Sequence, residues 1–232
     1  MTMLLGKEDH QHIAQAIAAA EARTTGEIYC VVARQLGAYR WVPYALGAFA
    51  ALLTPLAVWL LAPDAHRWPL IGEGWSSGNL TPLDIDNAVA TGLLAQGILQ
   101  VVAFCLGFLI GLPLRIRLSL VPRGMRRIEA ERAALQQFLA HGLQKTSRRT
   151  GVLLFVALAE RQAVLIADEG INAKVGADVW AGTVSALTDA ARHGRLAEGL
   201  VEAIATCGTA LAAHFPAEGP SLNELPNRVV EL

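Results

Sequence analysis

Apolar positions along this chain follow a helix-then-strand pattern twice, and between the two copies lie two long stretches without a charged residue. From Glu8 to Arg23, Ile13, Ala16, Ile17 and Ala20 recur at the three- and four-residue spacing of one helix face, and Thr24-Thr25-Gly26 stops the helix. Ile28 to Ala33 then reads as a strand. From Met125 to Arg149 the pattern returns: Ile128, Leu135, Phe138, Leu139 and Leu143 line one side of a helix, Thr150-Gly151 ends it, and Val152 to Leu158 reads as a strand. Neither unit can bury its own apolar faces, so the two are predicted to meet in one sheet.

Downstream, Glu160-Arg161 breaks the chain before Gln162 to Ala167, a run suited to pairing as a hairpin with the preceding strand. Asp168-Glu169-Gly170 closes it, and a short helix is predicted at Ile171 to Val175. Asp178 is predicted to N-cap a longer helix with Trp180, Val184, Leu187 and Ala191 inward, ended by His193-Gly194. Leu196 to Phe215 follows as a last helix with Leu200, Ile204 and Leu211 inward. Pro216 to Leu232 is predicted to be a polar tail.

The uncharged stretches, Val42 to Ala62 and Ala88 to Leu114, each supply the roughly 20 apolar residues needed to cross a hydrocarbon core. A chain of 232 residues could not bury two such helices on all sides, so they are predicted to form a transmembrane hairpin. Tyr39, Trp41 and Tyr44 sit where amphipathic rings meet headgroups, and Gly107 and Gly111 form a GxxxG suited to helix contact in lipid. Pro63 to Asn87, rich in Gly, Pro, Ser and Asn, reads as the connecting loop. Arg34 and Arg40 precede the first span, while Arg115, Arg117, Arg123, Arg126, Arg127 and Arg132 follow the second. That bias predicts an inner (plasma) membrane protein with both termini cytoplasmic and the loop outside. Residues 1–12 show no basic and apolar signal pattern, so the internal spans are expected to direct insertion.

Composition changes this picture little. Hydrophobic residues make up 53% and charged residues 17%, an excess located in the spans. A net charge of -1 argues against a nucleic-acid partner, because neutralising phosphates needs a concentrated basic surface. Cys30, Cys105 and Cys207 are far apart and without metal spacing, and Cys30 and Cys105 read as buried hydrophobes.

Candidate chemistry is sparse. The chain has no P-loop, GxSxG elbow, HExxH or dinucleotide fingerprint, and His10 and His12 fall on different helix faces. Asp168 and Glu169 are the best candidates for a site, since two carboxylates at a strand end offer hard oxygen ligands to Ca²⁺ or Mg²⁺, with Glu27 as a third ligand. The competing reading is a turn and an N-cap before Ile171, with Glu27 a solvated strand-start residue. Asp189, Arg192 and His193 read as an exposed helix end.

Several strings, in order, resemble the TPM domain family, which includes thylakoid-lumen phosphatase-like and photosystem-repair proteins. They are Thr25-Gly26-Glu27-Ile28, Thr150-Gly151-Val152-Leu153, Leu158-Ala159-Glu160-Arg161 and Ala167-Asp168-Glu169-Gly170-Ile171, together with Gly194 to Gly199 and Asn223-Glu224-Leu225-Pro226. The resemblance implies an α/β fold: a central β-sheet flanked by helices, here with a two-helix transmembrane hairpin inserted after the first strand. The chain would divide into 1–40 (helix and first strand), 41–114 (hairpin and exterior loop), 115–215 (the rest of the domain) and 216–232 (tail). The resemblance further implies a divalent-metal-dependent acid phosphatase; the absence of a recognised nucleophile or general-base set favours instead a membrane-anchored interaction or quality-control module, with the lipid bilayer and another membrane protein as partners. Self-association into a homo-oligomer is compatible with either.

Overall fold

The computed structural model describes residues 4–37, 39–61, 82–146, 149–217 and 225–232, with side chains at 61 and 82–89 outside the description. The chain divides into two compact units, one built from residues 1–37 and 122–232 and the other from residues 38–121.

The first unit is an α/β layer structure. In chain order it contains α1 (Lys7–Glu21), β1 (Glu27–Ala33), then α5 (Arg123–Ala140), β2 (Gly151–Ala157), β3 (Gln162–Ala167), α6 (Glu169–Asn172), α7 (Ala177–Arg192), α8 (Leu196–His214) and β4 (Val229–Glu231). The sheet runs β3-β2-β1-β4. β1 pairs parallel with β2 from Glu27 against Gly151 to Ala33 against Ala157, so the two flanks of the insertion share one sheet as the pattern predicted. β2 and β3 form the expected antiparallel hairpin. Every residue of β1 and β2 is buried, which explains their unbroken apolar runs: parallel strands covered on both faces lack an in-out alternation.

One face of the sheet, through Ile28, Cys30, Val32, Val152, Leu154 and Val156, packs on α1, α7 and α8. α8 buries Leu200, Ile204 and Leu211 as predicted. It also brings Gly199 and Gly208 so near α7 and α1 that an added Cβ would lie 2.5 Å from the Ala190 Cβ and 2.6 Å from the Ala20 Cβ. The other face, through Tyr29, Val31, Leu153 and Phe155, is covered by α5 with Ala134 and Phe138.

Several expectations are corrected. α5 ends at Ala140, nine residues before Arg149, because Gly142 adopts a left-handed conformation with φ of 72°. Its buried face is Ala130, Ala134 and Phe138, whereas Ile128, Leu135 and Leu139 are exposed: close approach to the sheet selects alanine over the larger residues. Glu27 is buried rather than solvated. Asp178 lies inside the first turn of α7, with Gly176 at the cap, and the short helix begins at Glu169 rather than Ile171. The supposed tail carries β4, which pairs parallel with β1 at Cys30 to Val32.

The second unit contains α2 (Trp41–Leu61), α3 (Pro82–Ile110) and α4 (Leu114–Leu120). α3 takes in residues 82–87 of the predicted loop, whose remaining residues 63–81 lie outside the described part. α2 and α3 pack along much of their length. Their crossing uses the GxxxG: a Cβ at Gly107 would lie 2.7 Å from the Leu46 carbonyl oxygen and one at Gly111 2.7 Å from the Pro43 Cα. Gly47 answers from α2, where a Cβ would lie 2.8 Å from the Phe104 carbonyl oxygen. Gln96 Nε2 donates to Thr54 Oγ1 across the pair at 3.1 Å. Among the described residues, three helices are long and apolar enough to cross a membrane: Trp41–Leu60, Ala90–Ile110 and Leu196–His214. The third is packed into the α/β core along one face.

Because β1 supplies a middle strand, a protein lacking residues 1–34 is expected to lose cooperative unfolding of its C-terminal part. Calorimetry of the 122–232 fragment beside the full chain checks this; an unchanged cooperative transition would refute the shared sheet.

Candidate functional site

Glu27, Gly151 and Asp168 lie across one end of the sheet. Glu27 is opposite Gly151, and the Asp168 N–H donates to the Gly151 carbonyl oxygen at 2.9 Å. Strand alternation puts Glu27 on the face of Tyr29. Asp168 caps α6, its Oδ1 accepting the Glu169 N–H at 2.7 Å, while its Oδ2 is buried without a partner. The Glu169 side chain is 88% exposed and lies 3.8 Å from Arg149. Among the described residues, no three or more His, Cys, Asp or Glu gather into a group that could hold a metal ion. Asp168 thus acts as the cap of α6, and Glu169 follows it at the surface.

Three other carboxylates hold backbone N–H groups where strand pairing runs out. Glu21 Oε1 accepts the Ile28 N–H at 2.9 Å, on the side of β1 that β4 reaches only from Cys30 onward. Glu160, fully buried, accepts the Leu36 N–H at 3.1 Å as the chain leaves β1. Glu231 accepts the N–H groups of Leu4 and Leu5 at 2.9 and 3.1 Å and meets His10 Nε2 at 2.9 Å. Desolvation pushes Glu231 upward, but the bonds from Leu4, His10 and Leu5, with the charge of His10, hold it below the usual carboxylate range. Glu21 goes the other way. Burial, aided by the neighbouring Glu27 charge, raises it to about 7 against the opposing hydrogen bonds from Ile28 and Asn227. Burial likewise pushes the Cys30 and Cys207 thiols up, so both are inert.

A groove of about 390 Å³ runs along β3, the edge strand, between α5 and α7. Arg127 and Glu131 wall it on one side; Trp180, Val184 and Thr188 wall it on the other, with Leu165 on the strand between. Since the Asp168 N–H faces β2, antiparallel alternation turns the backbone of 163, 165 and 167 outward. Ala167 agrees, its carbonyl oxygen accepting from the outlying Asn172 Nδ2 at 2.9 Å. Ala163 and Leu165 thus present N–H and C=O groups to the groove. Trp180, only 8% exposed, lines it with an indole N–H that is buried and without a partner. The arrangement offers alternating donors and acceptors beside an apolar wall, the chemistry of an extended peptide.

Residues 115–210 match the family model of the TPM domain. Over this segment the chain is similar to the TPM domain. The fold is similar to that of the BA42 protein from the psychrophilic bacterium Bizionia argentinensis, solved by NMR, with a TM-score of 0.56 and 19% identity over 100% of this chain and 98% of that one. At that identity the likeness concerns the fold alone. No curated protein matches the chain. Within the TPM domain, sequence reading marked the acidic turn at Asp168 and placed Trp180 in the core; it missed the groove. It also missed Glu21, although the step from Ile13 to Ile17 to Glu21 sets that carboxyl on the buried stripe of α1.

Glu21 makes stability depend on pH in a defined direction. The unfolded chain ionises it near 4.5 and the folded protein near 7, so its contribution is fullest below 4.5, declines between 4.5 and 7, and is level above. Glu21→Gln, which keeps a neutral acceptor for Ile28, is expected to gain about 3 kcal/mol over wild type at pH 8 and nothing at pH 3. Denaturant melts at both pH values check it; an equal gap at both would exclude a buried neutral carboxyl.

Proposed function

We propose that the protein is a membrane-anchored binding module, in which α2 and α3 cross the inner membrane and the TPM domain holds an extended segment of another membrane protein. Such a module suits a role in membrane-protein quality control. The observation that carries the binding reading is the groove beside β3, where outward backbone groups and the unpartnered Trp180 N–H await complements. For the anchor, the support is exposure. Phe49, Leu52 and Trp59 on α2 and Leu93, Ile98 and Val101 on α3 are among the large apolar side chains left uncovered, an arrangement that water penalises and lipid does not. The arginine bias supports cytoplasmic termini.

A metal-dependent acid phosphatase is the second reading, favoured by the buried and unpartnered Asp168 Oδ2. The two readings separate experimentally. A photo-crosslinking residue at position 164 in native membranes is expected to capture a membrane protein. Ala163→Pro, which removes an outward N–H without touching the β2 ladder, is expected to abolish capture while leaving Tm unchanged. Hydrolysis of p-nitrophenyl phosphate that requires Mg²⁺ or Ca²⁺ and disappears in Asp168→Asn would establish the phosphatase instead.

Topology has its own test. Reporter fusions at the N-terminus and at Leu232 are expected to read cytoplasmic and one at Gly78 exterior; a cytoplasmic signal at Gly78 would overturn the two-span arrangement.

A further inference from the structure

The groove beside β3 carries its charges in a fixed order. Among the described residues that line it, the charged ones are Arg127 and Glu131, both on α5 and joined by an ion pair of 2.8 Å. Their direction along the strand follows from the far end of the helix. His141, the C-cap of α5, stacks on Tyr29 near the start of β1 with ring centroids 4.5 Å apart. Beyond it Leu143 lies against the first residue of β2, where a Cβ at Gly151 would be 2.8 Å from the Leu143 carbonyl oxygen. β3 runs antiparallel to β2, with Ala167 opposite Val152. The C-terminal end of α5 therefore lies toward Ala167 and its N-terminal end toward Gln162. Arg127 stands nearer the start of β3, and Glu131 nearer its end.

Side and spacing fit a strand laid in the groove. Val164 and Ile166 turn to the α5 face of the sheet, Ala163 and Leu165 to the α7 face. Directly opposite residues of an antiparallel pair share a face, so an added strand sends alternate side chains to α5 and those between them to Trp180 and Val184. Side chains two apart on a strand are separated by about 6.6 Å. A step of four residues along a helix rises about 6 Å. Two alternate residues of the added strand thus meet Arg127 and Glu131 together. Independently of charge, Trp180 points to an occupant: it is 8% exposed, and its buried indole N–H has no partner.

We infer that the groove selects an extended protein segment with the order basic, apolar, acidic, counted from its N-terminus and laid antiparallel to β3. The inference rests on the binding reading above and gives it a sequence pattern. In that order the basic residue faces Glu131, the acidic residue faces Arg127, and the apolar residue between them faces Trp180 and Val184. The ion pair of Arg127 with Glu131 stays intact, because the four charges close a ring in which each has two opposite neighbours. The reverse order sets like charge against like at both positions. Exposed ion pairs contribute little affinity, whereas juxtaposed like charges discriminate, so the order is read by exclusion. Antiparallel addition follows from the greater stability of that ladder.

The test uses the full-length protein in lipid nanodiscs, labelled with nitrogen-15 at its tryptophan indoles, and two end-blocked peptides of one composition. These are Thr-Val-Lys-Val-Glu-Val-Thr and Thr-Val-Glu-Val-Lys-Val-Thr. Binding is read from the shift of the Trp180 indole N–H resonance, assigned by its loss in Trp180→Phe. The Lys-first peptide is expected to bind several-fold tighter. Arg127→Glu combined with Glu131→Arg, which keeps the pair four residues apart on the helix, is expected to invert that preference. Equal binding of both peptides, lost in Ala163→Pro, would overturn the charge order while the strand-binding groove stands. A wild-type preference for the Glu-first peptide would place the added strand parallel to β3 and overturn the inference as well. If neither peptide at millimolar concentration moves the Trp180 resonance, the binding reading itself falls and takes the inference with it.

Discussion

The parallel pairing of β1 with β2 is the constraint on which the rest of the molecule depends. Both strands are buried along their whole length, and each lies inside the sheet rather than at its edge. β1 precedes the hairpin and β2 follows it, so the core cannot close until the chain has returned from the insertion. Loop-closure entropy grows only slowly with length, which lets so long an insertion coexist with a stable sheet. The insertion then needs its own packing, and it has one: Gly47, Gly107 and Gly111 bring α2 and α3 into backbone contact, and a polar pair, Gln96 with Thr54, joins them.

A parallel strand that enters from outside leaves loose backbone groups at its ends, and carboxylates take them up. Glu21 occupies the side of Ile28 that β4 has not yet reached; Glu160 holds Leu36 where the chain departs for the hairpin; Glu231 ties β4 to the start of the chain. These acidic residues are structural and far more enclosed than Glu169 of the acidic turn. The same logic makes the opposite edge informative. Nothing comparable caps Ala163 or Leu165 among the described residues, and that uncovered edge, beside Trp180, is where the binding reading rests.

How much of this could be read beforehand follows from the physics of each element. β1, β2, β3 and α8 are legible because buried strands and a core helix demand uninterrupted or periodic apolar runs, and Gly26, Gly151 and Gly194 punctuate them. β4 is three residues long and exists through its non-local pairing with β1, so no local pattern announces it. The inner face of α5 misleads in a specific way: hydrophobicity points to Ile128, Leu135 and Leu139, while steric approach to the sheet favours Ala130 and Ala134. The groove is hidden for another reason. Its walls, Arg127 on α5 and Trp180 on α7, are distant in sequence and are brought together by the sheet between them.

Hydrogen exchange on the full-length protein in nanodiscs tests the shared sheet most directly. The amides of Tyr29 and Val31, which face β2, should exchange only through global unfolding, with the same opening free energy as the buried amides of β2. Exchange of the β1 amides at an opening free energy lower by more than about 2 kcal/mol would show that the N-terminal strand is a peripheral addition and would contradict the fold described here.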